Sequence, residues 1–115
     1  MISVTFSANK ESGSIALKLS GHADAAQKGE DIVCSAATIL AYTVAQTLQF
    51  MYEDGALQKK PRLDLKNGDA FIVAKPKADS YAEALHTFFV AQVGYHLLAQ
   101  SYPQCVALET FGEAE

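Results

Sequence analysis

Hydrophobic and polar residues alternate from the start of the chain. Ile2, Val4 and Phe6 fall on one side and Ser3, Thr5 and Ser7 on the other, the period of a half-buried strand. Ile15, Leu17 and Leu19 repeat the pattern, and the polar Asn9-Lys10-Glu11-Ser12-Gly13 between them predicts a hairpin whose second strand runs into Ser20-Gly21-His22. The period then changes. Val33, Ala36, Ala37, Leu40, Val44, Leu48 and Met51 recur at three- and four-residue spacing, which predicts a helix from near Asp31 to Asp54-Gly55, where glycine permits a left-handed closing turn. Residues 62–66 and 69–75 flank Asn67-Gly68, the strongest short hairpin signal in the chain, and this pairing puts Leu63 and Leu65 on one face with Ala70 and Ile72. A second helix follows Pro76, from about Asp79 to Gln100. Its apolar residues, among them Leu85, Phe88, Phe89, Val93 and Leu97, nearly encircle it, as in a buried helix. After Tyr102-Pro103, the segment from Cys105 to Thr110 can return to the sheet. The order ββαββαβ defines an α+β class, a single-domain sandwich over residues 1–115 of a mainly antiparallel sheet with two helices.

Composition narrows the function. At 115 residues and 50% apolar, the chain supports one core and one site. The formal charge is −4, and no basic stripe offers itself to phosphate, so direct nucleic-acid binding is not expected. A basic segment of a partner protein suits this acidity better. The N-terminus lacks the basic region and apolar run of a secretion signal. The longest apolar stretch, Phe88 to Ala99, is interrupted by Gln92 and His96 and is shorter than the roughly 20 residues that cross a bilayer. No membrane association is expected, and the cytoplasm is the expected compartment. The two cysteines are far apart and form no CxxC pair, which suggests neither a disulfide framework nor a zinc knuckle. Cys105 reads as a small buried hydrophobe. His86 and His96 lie ten apart rather than at the four-residue spacing of two ligands on a helix face, so both read as structural.

The chemistry concentrates between Gly21-His22 and Cys34. From Ala23 to Glu30 the residues are small or polar and include Asp24 and Gly29, the composition of a flexible loop bounded by Gly21 and Glu30. Cys34 falls in the first predicted helical turn, where free backbone amides and the positive end of the dipole favour thiolate over thiol. The dipole contributes only about 0.3 to 1 kcal/mol, so a strong nucleophile needs a partner. His22 leaves the second strand a short connection away. Within hydrogen-bond reach it takes the thiol proton and later returns it to a leaving amine. The small residues Ser35, Ala36 and Ala37 leave room for a peptide backbone to approach the amides that would hold the oxyanion. Asp31 has two open readings: a third member that orients His22, or an N-cap for the helix.

These residues resemble the ribosomal-processing cysteine proteases of the Prp family, over most of the chain. The match rests on Gly21-His22, Gly29, and Asp31-Ile32-Val33-Cys34 followed by Ser35-Ala36-Ala37-Thr38. The family more usually carries alanine at the place of Ser35 and serine at that of Thr38, mild changes that touch fine positioning rather than chemistry. The resemblance implies an endopeptidase that removes the N-terminal extension of a bacterial large-subunit ribosomal protein, number twenty-seven, by a Cys34-His22 mechanism. It also implies a homodimer, a flexible loop that orders over the site with substrate, cleavage after aromatic residues, and no cofactor or metal.

A second class of function stands beside the peptidase: a noncatalytic ribosome-assembly module that binds a ribosomal protein through its acidic surface, with Cys34 merely buried. A thiol oxidoreductase is the poorest option, because no resolving cysteine lies near.

Overall fold

A computed structural model describes residues 1–21, 30–66 and 69–111, and of Glu30 and Asp31 only the backbone. The two alternating segments form strands β1 (Ile2–Asn9) and β2 (Ser14–Ser20), paired antiparallel with Phe6 opposite Leu17 and Val4 opposite Leu19. Asn9 turns the hairpin: its side-chain oxygen accepts the amides of Glu11 and Ser12 at 2.9 and 3.0 Å, the local competition with regular structure that favours asparagine in turns. Helix α1 (Glu30–Glu53) follows, then β3 (Arg62–Lys66) and β4 (Asp69–Ala74), a single 3-10 turn (Ala78–Ser80), helix α2 (Tyr81–Ser101) and β5 (Val106–Glu109). The predicted order is the observed one. Leu63 and Leu65 do face the same way as Ile72 and Ala70, their direct cross-strand partners, while the turn at Asn67-Gly68 lies outside the described residues.

The sheet runs β3-β4-β2-β1-β5, antiparallel except where β5 adds beside β1 in parallel. Both helices cover one face. Ile2, Val4, Phe6, Ile15, Leu17 and Ile72 from the sheet meet Val33, Ala37, Val44 and Leu48 of α1 and Ala84, Phe88, Ala91 and Tyr95 of α2 in one buried core. Each large side chain so buried contributes roughly 1.5 to 3 kcal/mol. The opposite face stays wet, with Ser3 and Lys18 exposed and Arg62 lying over the Phe71 ring. Helix α1 stops where glycine was expected to stop it. Gly55 sits at φ +81°, and the amides of Gly55 and Ala56 return to the carbonyls of Tyr52 and Met51, satisfying two of the otherwise free terminal carbonyls.

Two expectations need correction. Helix α2 is not buried all round: Phe89, Val90, Val93 and Leu97 are exposed, because a helix lying on one face of a single sheet has only its inner half covered. His86 and His96 are both exposed on the same helix, His86 stacking on Phe89. The longest apolar helix is α1 rather than the 88–99 stretch. By length and composition Ile32–Glu53 is apolar enough to cross a membrane, yet its Val33-Ala37-Val44-Leu48 stripe is the centre of the core.

Candidate active site

The fold decides whether β2 can deliver a group to the start of α1. Strand β2 ends at Ser20, between Ser3 of β1 and Asp69 of β4. Helix α1 finishes at the opposite end of the sheet, where Leu57 bridges Pro76 just beyond β4 and Lys77 donates to the Ala56 carbonyl at 2.9 Å. At 24 residues the helix is about 36 Å long, most of the molecule's 45 Å extent. Its first turn therefore lies back at the end where β2 leaves the sheet. The strand exit and the helix mouth share one end of the molecule.

Gly21 fixes how the chain leaves. Its φ of +112° is a conformation that favours glycine, and a Cβ there would overlap the Met1 carbonyl oxygen and lie 3.4 Å from Ile2 Cα. Only glycine lets the backbone turn away so close to β1. His22, Ala23, Asp24 and Gly29 lie outside the described residues, so the expected flexible loop is placed only by its two anchors. Its far boundary moves: Glu30 is the first residue of α1 rather than part of the loop, an acidic residue where the helix dipole favours one. Asp31, for which an N-cap was one of two readings, sits inside the first turn, because the helix begins one residue before it.

Cys34 is the fifth helical residue, one turn in, rather than a member of the first turn. Helical side chains slant toward the N-terminus, so its sulfur still leans over the first turn, whose leading amides lack intrahelical acceptors. The thiol is free and half-buried: it packs against the core on one side, while Ile32 and Ser35 beside it are exposed. That suits a group that must be held yet reached. Cys105 is also free but buried at the entry to β5, as expected for a small hydrophobe. Among the described residues no cluster of histidine, cysteine or acidic side chains could hold a metal ion.

Tyr95 is a residue the sequence pattern passed over. It is fully buried, its ring edge meets Phe6 with centroids 5.8 Å apart, and its hydroxyl donates to the Ala37 carbonyl at 2.7 Å, three residues beyond Cys34. Burial holds the phenol well above its ordinary range, so it remains a donor. The Ala84-Phe88-Ala91-Tyr95 spacing was the available signal. It is masked by the apolar residues on the other side of the same helix.

A cavity of about 1110 Å³ among the described residues is remote from this chemistry. It lies at the hairpin end, between Lys10, Pro76, Tyr81, Leu85, Phe89 and Phe111.

The α+β sandwich with a half-exposed cysteine near the start of its central helix is, by the family its sequence matches, that of a cysteine-type peptidase. The chain belongs to the cysteine protease Prp family, whose model matches residues 1–107. Solved structures agree in fold. The ribosomal processing protease Prp from Staphylococcus aureus, in complex with a substrate peptide, is 20% identical with a TM-score of 0.69, over 96% of this chain and 99% of that one. SMU.848 from Streptococcus mutans is 23% identical with a TM-score of 0.69, over 96% and 94%. The Staphylococcus aureus Prp with a covalently linked product peptide is 21% identical with a TM-score of 0.66, over 96% and 99%. No curated protein matches the chain.

Proposed function

We propose that this peptidase removes the N-terminal extension of a bacterial large-subunit ribosomal protein, the one numbered twenty-seven, with Cys34 as nucleophile and His22 as its base. The observation that carries the reading is topological. Gly21 leaves the sheet at the end of the molecule where α1 begins, so the Gly-His exit of β2 and the helix that bears Cys34 start from the same end. The Staphylococcus aureus relative, solved with a substrate peptide and with a covalently linked product, supports both a ribosomal substrate and a covalent route.

In this mechanism the Cys34 proton passes to the imidazole, and the sulfur attacks the scissile carbonyl carbon. The resulting oxyanion is met by free amides at the helix mouth. Collapse breaks the C–N bond as the imidazolium returns its proton to the leaving amine. Water then hydrolyses the thioester, giving its proton to the imidazole and restoring the thiol. No step calls for a metal or cofactor. Asp31, in the first turn, either orients the imidazole or complements the dipole.

The working form is a homodimer in the cytoplasm. The exposed apolar face of α2, with Phe89, Val90, Val93 and Leu97, joined by Ile39 and Phe50 on α1, supports self-association. The net charge of −4 suits a basic precursor tail better than nucleic acid.

The test is direct. Purified protein incubated with the extended precursor should generate a new N-terminus, located by mass spectrometry, and Cys34→Ala and His22→Ala should each abolish it. Equal cutting by Cys34→Ala overturns the assignment. Slow alkylation of Cys34 in both wild type and His22→Ala, without cleavage, would favour the noncatalytic binding module.

A further inference from the structure

A phenol buried in an apolar core is usually accounted for by its hydrogen bond, and here the bond goes to an acceptor that does not need it. The Ala37 carbonyl already receives the Ala41 amide in the regular ladder of α1, so the Tyr95 hydroxyl is a second donor on the same oxygen, at 2.7 Å. Phenylalanine would fill the same space beside Phe6 without leaving any backbone group unpaired. The bond therefore meets a need of the buried hydroxyl rather than of the α1 backbone, on which it acts as an added donor.

Its place in the helix ladder indicates where that donor acts. The Ala37 carbonyl shares a peptide unit with the Thr38 amide, which donates to the Cys34 carbonyl. That carbonyl shares its unit with the Ser35 amide, which donates to the Asp31 carbonyl. The last peptide unit ends in the amide of Ile32, one of the leading amides of α1 that have no intrahelical acceptor. One hydrogen-bonded column thus runs from the buried phenol, through the backbone of Cys34, to a donor at the helix mouth that has no acceptor within the helix. Hydrogen bonds in such a chain polarise one another, and more strongly in the low dielectric of a core. Tyr95 also ties α1 to α2 at this level, next to the close approach of Gly94 to Leu40, where an added Cβ would lie 2.8 Å from the leucine.

We infer that Tyr95 is a positioning residue for the peptidase reaction: its hydroxyl holds and polarises the backbone column that carries Cys34 and ends in the Ile32 amide, strengthening that amide toward the anion formed at the helix mouth. The inference rests on Cys34 being the nucleophile.

The experiment compares wild type, Tyr95→Phe, Phe6→Leu and Cys34→Ala by steady-state cleavage of the precursor and by the pH profile of Cys34 alkylation with iodoacetamide. Tyr95→Phe is expected to remain folded, to lower kcat about fivefold with little change in KM, the scale of one buried hydrogen bond. It should also move the alkylation midpoint to higher pH. Phe6→Leu loosens the same packing but keeps the hydroxyl, and is expected to lower Tm while leaving that midpoint in place. A Tyr95→Phe enzyme with wild-type kcat and midpoint overturns the inference while leaving the active-site reading intact. So does an equal midpoint shift in Phe6→Leu, which would reduce the effect to packing. A wild type that neither cuts nor labels, or a Cys34→Ala that cuts, overturns the nucleophile itself and the inference with it.

Discussion

Gly21 and Met1 face each other backbone to backbone: a Cβ on residue 21 would overlap the Met1 carbonyl oxygen. The contact sets the exit of β2 against the residue that leads into β1. Neither partner can yield by rotating a side chain, because the obstruction is main chain.

Gly21→Ala should therefore be costly twice, through the clash and through a φ of +112° that L-residues rarely adopt. We expect a loss of about 1 to 3 kcal/mol in thermal or denaturant unfolding. Precursor cleavage should fall by a larger factor than stability alone explains, because the proposed base is the next residue in the chain. Wild-type stability and cleavage in Gly21→Ala would show that the strand exit does not constrain the site.

The two thiols should separate cleanly. Cys34→Ser changes a half-buried side chain beside exposed neighbours, so unfolding should move by under about 1 kcal/mol while cleavage disappears. Cys105→Ser places a hydroxyl in a buried site and should cost about 1 to 3 kcal/mol, with cleavage retained at temperatures where the protein is folded. The reverse pattern would exchange their roles.

Alkaline titration should expose Tyr95. Desolvation raises the phenol of the folded state above its ordinary value of 10.0, so above that pH the unfolded chain releases a proton that the folded chain keeps. The linkage term is then negative: the contribution is present in full below pH 10.0 and is lost as pH rises toward the higher folded value, at up to about 1.4 kcal/mol per pH unit for one proton. Tyr95→Phe should flatten this part of the stability curve. Identical alkaline slopes in denaturant unfolding of both proteins would contradict it.

The outward face of α2 offers a test of assembly. Glutamate at both Val93 and Leu97 adds charge to exposed positions and should leave the monomer's unfolding within about 0.5 kcal/mol per site. In light scattering coupled to size exclusion, the variant should run at half the wild-type mass. A wild type already monomeric at the same concentration, or a variant that stays dimeric, removes this face from the interface.

Much of the fold is legible without coordinates. Ile2-Val4-Phe6 and Ile15-Leu17-Leu19 announce β1 and β2, because one wet and one dry sheet face impose a period of two. The stripe from Val33 to Met51 announces α1 for the equivalent reason at a period near 3.6. Helix α2 resists the same treatment. With Phe88 and Phe89 adjacent and apolar residues on every side, its sequence does not say which face is covered, so Tyr95 is invisible as a core donor and Val93 reads as buried. The start of α1 is also displaced, since Glu30 is compatible with either a loop or a first helical turn.

The residues alone determine the order of elements, the turn chemistry of Asn9 and Gly55, and the pairing of a Gly-His exit with a cysteine near a helix start, all of which depend on neighbours within a few positions. Tertiary structure decides the rest: that β5 joins β1 in parallel, that the inner half of α2 is the Ala84-Phe88-Ala91-Tyr95 face, that Gly21 must be glycine because Met1 lies across from it, and that β2 leaves the sheet where α1 begins. These features depend on what lies across a contact rather than along the chain. Local period and propensity carry no information about which distant segment will be there.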